Sequence, residues 1–222
     1  MDGTILDSEV IYQKIVTKIC ERYGRTYNRQ LQIQMYGVTD RELSVAVVRE
    51  LKLPISVDEF EMQLSDSAKK LLPSAPLTEG AERLLTHLNK CNIPLALVTN
   101  STEYAVRMHA TERPELFALF HHKVSITNSE VNRGKPHPDI YVLAASKFPA
   151  KPRPSKCLVF EDSRIGVEAA VRAGMQVVMI PDHRLEKDFT RNATLVIRSL
   201  LHFRPELFGL PPFDDYPRKN LK

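Results

Sequence analysis

Four short stretches of the 222-residue chain hold side chains whose type and spacing could do chemistry. The first is Asp2-Gly3-Thr4, a carboxylate followed by a glycine that lets the backbone turn sharply, which could aim Asp2 into a cleft. Alone it reads equally well as an ordinary Asx-type turn. The second is Thr99-Asn100-Ser101, after the apolar run Leu95-Ala96-Leu97-Val98. There a hydroxyl and backbone N–H groups at the start of a following helix could hold a phosphate oxygen, or simply cap that helix. The third is Lys135, set between Gly134 and Pro136 in Gly-Lys-Pro-His-Pro, where the prolines restrict the backbone that displays it. A surface lysine is the plainer reading. The fourth is the adjacent pair Glu161-Asp162, following Cys157-Leu158-Val159-Phe160. Neighbouring carboxylates repel unless a cation sits between them, so the pair points to a hard metal ion.

These stretches need a scaffold, and the apolar pattern supplies one. From Thr78 onward, helices and short apolar strands alternate: helix 79–90, strand 94–98, helix 102–110, strand 122–126, helix 139–148, strand 157–160, helix 165–173, strand 176–180 and a last short strand 194–197. Fully apolar strands separated by helices predict a doubly wound α/β domain, a Rossmann-like parallel sheet covered on both faces. Ligands of such sheets bind beyond the carboxyl ends of the strands, which is where all four stretches fall.

Between the first stretch and this domain the pattern is helical throughout. Val10, Ile11, Ile15, Val16, Ile19 and Cys20 recur at helical spacing up to a stop at Gly24. Thr39-x-x-Glu42 and Ser56-x-x-Glu59 each read as a capping box opening a further helix, and Pro73 and Pro76 close the region. The expected organisation is therefore residues 1–8 as the start of the core domain, 9–75 as an inserted all-helical cap, 76–212 as the α/β core and 213–222 as a flexible tail.

Composition excludes several classes. With 43% apolar and 26% charged residues the chain is globular, and its net charge of +4 is dispersed, so a nucleic-acid polymer is not indicated. The longest apolar runs, 93–98 and 177–181, fall far short of the roughly 20 residues of a membrane helix. Asp2, Asp7 and Glu9 stand where an export signal would be basic. Cys20, Cys91 and Cys157 show no paired spacing and read as free thiols in a reducing cytoplasmic compartment. His109, His121, His122 and His137 lack ligand-like spacing with carboxylates and are expected to be structural or exposed.

The order Asp-Gly-Thr, helical insert, strand-Thr-Asn, Gly-Lys-Pro-x-Pro, strand-Glu-Asp-Ser-x-x-Gly-Val resembles the motif series of the haloacid dehalogenase-like hydrolases with a cap after the first motif. In detail it is similar to the pseudouridine 5'-phosphatase branch, through 156–162, Gly166-Val167-Glu168-Ala169-Ala170, 173–179 and 205–211. The resemblance implies a magnesium-dependent phosphatase of a small phosphorylated metabolite, by analogy a nucleotide monophosphate such as pseudouridine 5'-phosphate. It implies Asp2 as general acid and base; the Asp2 backbone carbonyl, Glu161 and Asp162 as Mg2+ ligands; and Thr99, the Asn100 N–H and Lys135 as the clamp on the phosphoryl oxygens, Lys135 also serving catalysis. The family's nucleophilic aspartate would lie immediately before Met1, so the expectation is a native product that begins upstream with an apolar strand ending in Asp. Without it, attack by a protein aspartate is impossible. A binding protein without activity and a sugar-phosphate mutase stand as alternatives, and a monomer is expected. Tyr36, Thr39 and Arg41 of the cap have surface or capping readings at least as good as a substrate-reading one. Thr99-Asn100-Ser101-Thr102 and Ser163-Arg164-Ile165 depart from the branch's Thr-Ser-Ser-Gly and Ala-Pro-Asn, which bears on the substrate rather than on the chemistry.

Overall fold

The computed structural model describes residues 1–182 and 190–214. Four helices come first: α1 (Glu9–Arg22), α2 (Arg29–Gln34), α3 (Asp40–Glu50) and α4 (Val57–Leu71). At α3 the capping box forms in full, Glu42 N–H donating to Thr39 Oγ1 (3.2 Å) and Thr39 N–H to Glu42 Oε2 (2.9 Å). At α4 only half of the second box forms: Ser56 Oγ accepts from Glu59 N–H, while the Glu59 carboxylate takes a bond from Gln63 instead. The six-residue α2 has no sequence period to betray it and rests on its Asn28 cap. The inner faces of the four helices build their own apolar cluster, with Ile15, Val16, Ile19, Val47, Phe60 and Leu64 almost fully buried.

Two backbone segments tie these helices to the rest. The outgoing segment 5–7 and the returning segment 76–78 run side by side, joined by Asp7 N–H to Pro76 O (2.8 Å), Thr78 N–H to Ile5 O (2.9 Å) and the Thr78 hydroxyl to Thr4 O (2.6 Å). The helical unit therefore hangs from a short antiparallel connector whose outgoing half begins three residues beyond Asp2.

The remaining elements alternate as the apolar pattern predicts: α5 (Ala81–Lys90), β1 (Ala96–Thr99), α6 (Glu103–Glu112), α7 (Pro114–Ala118), β2 (His122–Ser125), α8 (Asp139–Ser146), β3 (Leu158–Glu161), α9 (Arg164–Arg172), β4 (Gln176–Met179) and β5 (Leu195–Val196). Every strand pair among the described residues is parallel, as expected of strands linked by helical crossovers. Along β4, Val178 faces the cluster built with α5 to α7, and Val177 and Met179 face the cluster built with α8 and α9. That alternation is the period of a strand buried on both faces.

In one respect the expected sheet differs from the observed one. The strands form two groups, β1-β2 and β3-β4-β5, rather than one continuous sheet. Residues 95–98, largely β1 itself, and 157–160, largely β3, both line an apolar cavity of about 430 Å³, with Met1, Thr4 and Ile5 also in its wall. The tail expected from Phe213 also needs correction at its first residue. Phe213 is buried against the His87 ring and beneath the Arg83 guanidinium, 3.8 Å from the ring centre; the tail from 215 on lies outside the described residues.

Candidate active site

The strand ends and the helical unit enclose a small cavity of about 80 Å³, lined by Asp2, Thr99, Asn100, Lys135, Glu161 and Asp162 among others. All six residues singled out from the sequence thus meet around one space. Five of them are buried: Thr99 4% exposed, Asn100 8%, Lys135 8%, Glu161 4% and Asp162 5%. Charged side chains are almost never buried without partners, so what they touch decides what they can do.

Asp2 lies where the backbone turns after Met1, and Gly3 follows at φ +69°. A side chain at Gly3 would run into the Asp162 carboxylate, so glycine is required here both for its backbone and for the room it leaves. The two Asp2 carboxylate oxygens accept from the Ser8 and Ser101 hydroxyls, each at 2.7 Å. Ser8 precedes α1 but gives no side-chain cap to it, because its hydroxyl is turned to Asp2. The carboxylate is therefore fixed between the helical unit and the β1 loop. No backbone N–H among the described residues donates to the Asp2 carbonyl.

After β1, Thr99 Oγ1 accepts from Ser101 N–H (3.0 Å), and the Asn100 amide accepts from Lys135 N–H (3.1 Å) while donating weakly to Gly37 O (3.4 Å). Asn100 thus joins three loops: its own, that of Lys135 and the Gly37 loop of the helical unit. A side chain at Gly37 would strike Ser163, so the close approach of the two layers depends on that glycine.

Lys135 and Glu161, which the motif series assigns to phosphate and metal separately, are paired with each other. Lys135 Nζ donates to Glu161 Oε1 at 2.5 Å, and the Tyr141 hydroxyl donates to the same oxygen at 2.5 Å. The Ser163 hydroxyl donates to Oε2 at 3.0 Å. Burial pushes the Glu161 carboxyl up, but the Lys135 charge and the Lys135 and Tyr141 hydrogen bonds outweigh it and hold the group below its usual range. Tyr141 itself is driven well above the ordinary phenol range by burial and by Glu161. Asp162 fares differently. It accepts from the Thr4 hydroxyl (2.7 Å), yet burial and the charge of Glu161 push it up to about 6.

The donors available to a metal follow from this. Among the described residues no group of three or more His, Cys, Asp or Glu side chains is placed to hold a metal ion by itself. A cation here would rely on Asp162, the Asp2 carbonyl and, if it is released from Lys135, Glu161. An all-oxygen set with one or two carboxylates suits magnesium, which keeps several waters, and the raised Asp162 marks a carboxylate short of positive charge. The residues present therefore fit Mg2+.

Sequence reasoning missed several contributors. Tyr141 reads as a core aromatic on α8; only folding brings it to Glu161, 20 residues on, which in turn meets Lys135, 26 residues before it. Ser8 follows the first stretch and Ser101 ends the second, but neither has a signature that marks it as a partner of Asp2. On the helical side, Tyr12 and Asp40 line the cavity, whereas Thr39 spends its side chain on the α3 cap and Arg41 pairs with Asp58 and Glu61, as their capping and surface readings suggested. Tyr36 does reach the site: burial first, and then the charge of Asp162, shift its phenol upward. The Met1 amino group is buried in the same charged cluster, where burial and Lys135 lower its pKa against the opposing pull of Asp2, Glu161 and Asp162.

Comparison with known proteins identifies the family. The family model described as "Haloacid dehalogenase-like hydrolase" matches residues 1–180. A Drosophila melanogaster protein named "Probable pseudouridine-5'-phosphatase" is 45% identical over 97% of this chain and 94% of its own length. The Arabidopsis thaliana "(DL)-glycerol-3-phosphatase 2" is 38% identical over 97% of this chain and 91% of its own. A crystal structure of a HAD hydrolase from Entamoeba histolytica superposes with a TM-score of 0.77 at 23% identity, covering 94% of each chain, which speaks for the fold alone. The chain belongs to the haloacid dehalogenase-like hydrolases, on the phosphatase side of that family.

Proposed function

We propose that the chain carries the acid–base, phosphate-holding and metal-holding residues of a magnesium-dependent phosphatase of a small phosphorylated metabolite, with a nucleoside monophosphate such as pseudouridine 5'-phosphate as substrate and the nucleophile upstream of Met1. One observation carries this reading: Thr99, Asn100 and Lys135 meet Asp2 and the Glu161-Asp162 pair around a single covered cavity. In this reading the Thr99 hydroxyl, the Asn100 N–H and the Lys135 ammonium hold the phosphoryl oxygens as charge redistributes over them. Lys135 exchanges Glu161 for the phosphate, which frees Glu161 to face the cation. Asp2, held by Ser8 and Ser101, gives its proton to the leaving alcohol and then takes one from the attacking water. When bound, magnesium neutralises the charge shared by the nucleophile and the phosphate.

The nucleophile in this reading is a carboxylate on the residue joined to the Met1 amino group, ending an apolar strand that runs through the cavity between β1 and β3. Two features support it. A residue joined there starts inside the charged cluster, and the cavity of about 430 Å³ is lined by apolar residues from both strands and from α5 and α8. A strand in that place would pair with both edges and make one sheet of the two groups. The helical unit acts as a cap that excludes water and meets the organic part of the ester. Cys20, Cys91 and Cys157 are free thiols, which suits a reducing cytoplasm, and no described helix is long and apolar enough to cross a membrane.

Phosphate release with magnesium tests this, on a panel of pseudouridine 5'-monophosphate, uridine 5'-monophosphate, glycerol 3-phosphate and hexose phosphates. The chain as it stands is compared with one extended upstream by an apolar strand ending in Asp. Release by the extended form alone is the expected outcome. Silence of both, with the extended form folded and binding magnesium, rejects the phosphatase reading in favour of a binding role.

A further inference from the structure

The small cavity at the strand ends does not stop at the phosphate-holding residues. Tyr12, Asp40 and Asn100 line both it and a second cleft of about 550 Å³ between the helical unit and the core. These three residues therefore form a throat, with the proposed phosphate clamp on one side and room for an organic group on the other. The outer cleft is mixed in character, with Met62, Leu72, Tyr104, Met108 and Ile126 in its walls.

Two side chains of the throat are committed to nothing else. Asp40 is the first residue of α3, but the cap of that helix is made entirely by Thr39 and Glu42. None of the recorded side-chain hydrogen bonds among the described residues goes to the Asp40 carboxylate or the Tyr12 hydroxyl. Both are nevertheless largely withdrawn from water. Burial first, and then Asp2 and Glu61, raise Asp40 to about 6, and burial with Asp40 and Asp2 raises the Tyr12 phenol well above its ordinary range. Polar groups in that condition await a hydrogen-bonding partner.

The sign of the charge narrows what the partner can be. Asp2 and Asp40 both line the inner cavity. Among the described residues the cations that line the throat and its cleft are engaged: Arg41 by Asp58 (2.5 Å) and Glu61 (2.8 Å), Lys69 by Asp66 (3.4 Å), and Lys135 by Glu161 on the phosphate side. A ligand with a second anionic group beyond the phosphoryl would bring it against Asp40 with no unengaged cation among the described lining residues to meet it. A neutral hydroxyl would instead donate to the Asp40 carboxylate and accept from the Tyr12 phenol.

Resting on the phosphatase reading, we infer that Tyr12 and Asp40 are specificity-determining residues: their throat admits phosphate monoesters of neutral, hydroxyl-bearing alcohols, such as polyols and nucleosides, and turns away phospho-carboxylates and bisphosphates. The selection combines a new attraction with a repulsion, and the repulsive part is the Asp40 charge.

Equilibrium binding to the 222-residue chain at pH 7.5 with magnesium tests this without requiring turnover. The probes are inorganic phosphate, glycerol 3-phosphate, uridine 5'-monophosphate and phosphoglycolate. The unmodified chain should bind the two neutral esters at least about tenfold more tightly than phosphoglycolate. Asp40→Asn should raise phosphoglycolate affinity about tenfold and inorganic phosphate by less than about threefold, closing the gap. Tyr12→Phe, which keeps the ring and its packing, should weaken the neutral esters and spare inorganic phosphate. An unchanged preference in Asp40→Asn, confirmed folded by its thermal melt, overturns the inference. Binding of no probe at all, inorganic phosphate included, removes the phosphate site itself and so the phosphatase reading beneath it.

Discussion

The floor of the site and its roof are built on opposite principles. On the floor, supplied by the strand ends, each charged or polar group is held by another: Asp2 by two serines, Glu161 by Lys135, Tyr141 and Ser163, Asp162 by Thr4. On the roof, supplied by α1 and α3, Tyr12 and Asp40 face the cavity without such ties. A network satisfied in advance fixes geometry, which suits a group that is the same in every substrate. Open polar groups on a separate layer suit a group that varies. The difference teaches that the two layers can be perturbed separately, and four substitutions ask whether they are.

The largest effect is expected on the floor at Lys135. Lys135→Met removes the counter-charge of Glu161 while keeping much of the lysine's volume, and leaving one member of a buried pair costs about 3–5 kcal/mol. Thermal or denaturant unfolding measures it, and a loss near zero would mean that Glu161 is solvated rather than locked. Gly3→Ala comes next, at about 2 kcal/mol, because it combines a left-handed backbone with a collision at Asp162. A fully stable Gly3→Ala protein would show that the Asp2 turn is free to relax. Tyr141→Phe deletes one of the donors to Glu161 and should cost about 1–3 kcal/mol, with the neighbouring salt bridge kept.

The smallest effect belongs to the roof and has the opposite sign. Asp40 has its folded pKa raised from 3.8 to about 6, so its charge opposes folding above pH 6, and the penalty fades as pH falls from 6 towards 3.8. Asp40→Asn should therefore stabilise the protein by about 1 kcal/mol at pH 8, a figure discounted for its partial exposure, and by nothing near pH 4. Melting curves across that range decide it. Destabilisation at pH 8 would show that Asp40 has a structural partner and that the roof resembles the floor after all.

Much of the floor was legible in the sequence because each of its parts ends an apolar strand or sits in a turn with restricted backbone. Asp2, Thr99, Asn100, Lys135, Glu161 and Asp162 all follow that rule, and the parallel arrangement brings strand ends to one side regardless of side-chain detail. The pairing of Lys135 with Glu161 was not legible, since it depends on how two loops 26 residues apart lean on each other. Nor were α2 and α7, too short for a helical period to register. Division of the strands into two groups was equally hidden: apolar runs announce strands but not which edges meet. Tyr12 and Asp40 were hidden for another reason. One sits in an amphipathic run and the other beside a capping box, so each already had an adequate structural explanation.

The division of labour between floor and roof is tested most directly by calorimetric titration of inorganic phosphate, with magnesium, into the unmodified chain, Lys135→Met and Asp40→Asn. If the floor alone holds the phosphoryl group, Lys135→Met loses measurable phosphate binding while remaining folded, and Asp40→Asn binds at least as well as the unmodified chain. Retained binding in folded Lys135→Met, or its loss in Asp40→Asn, would contradict the account.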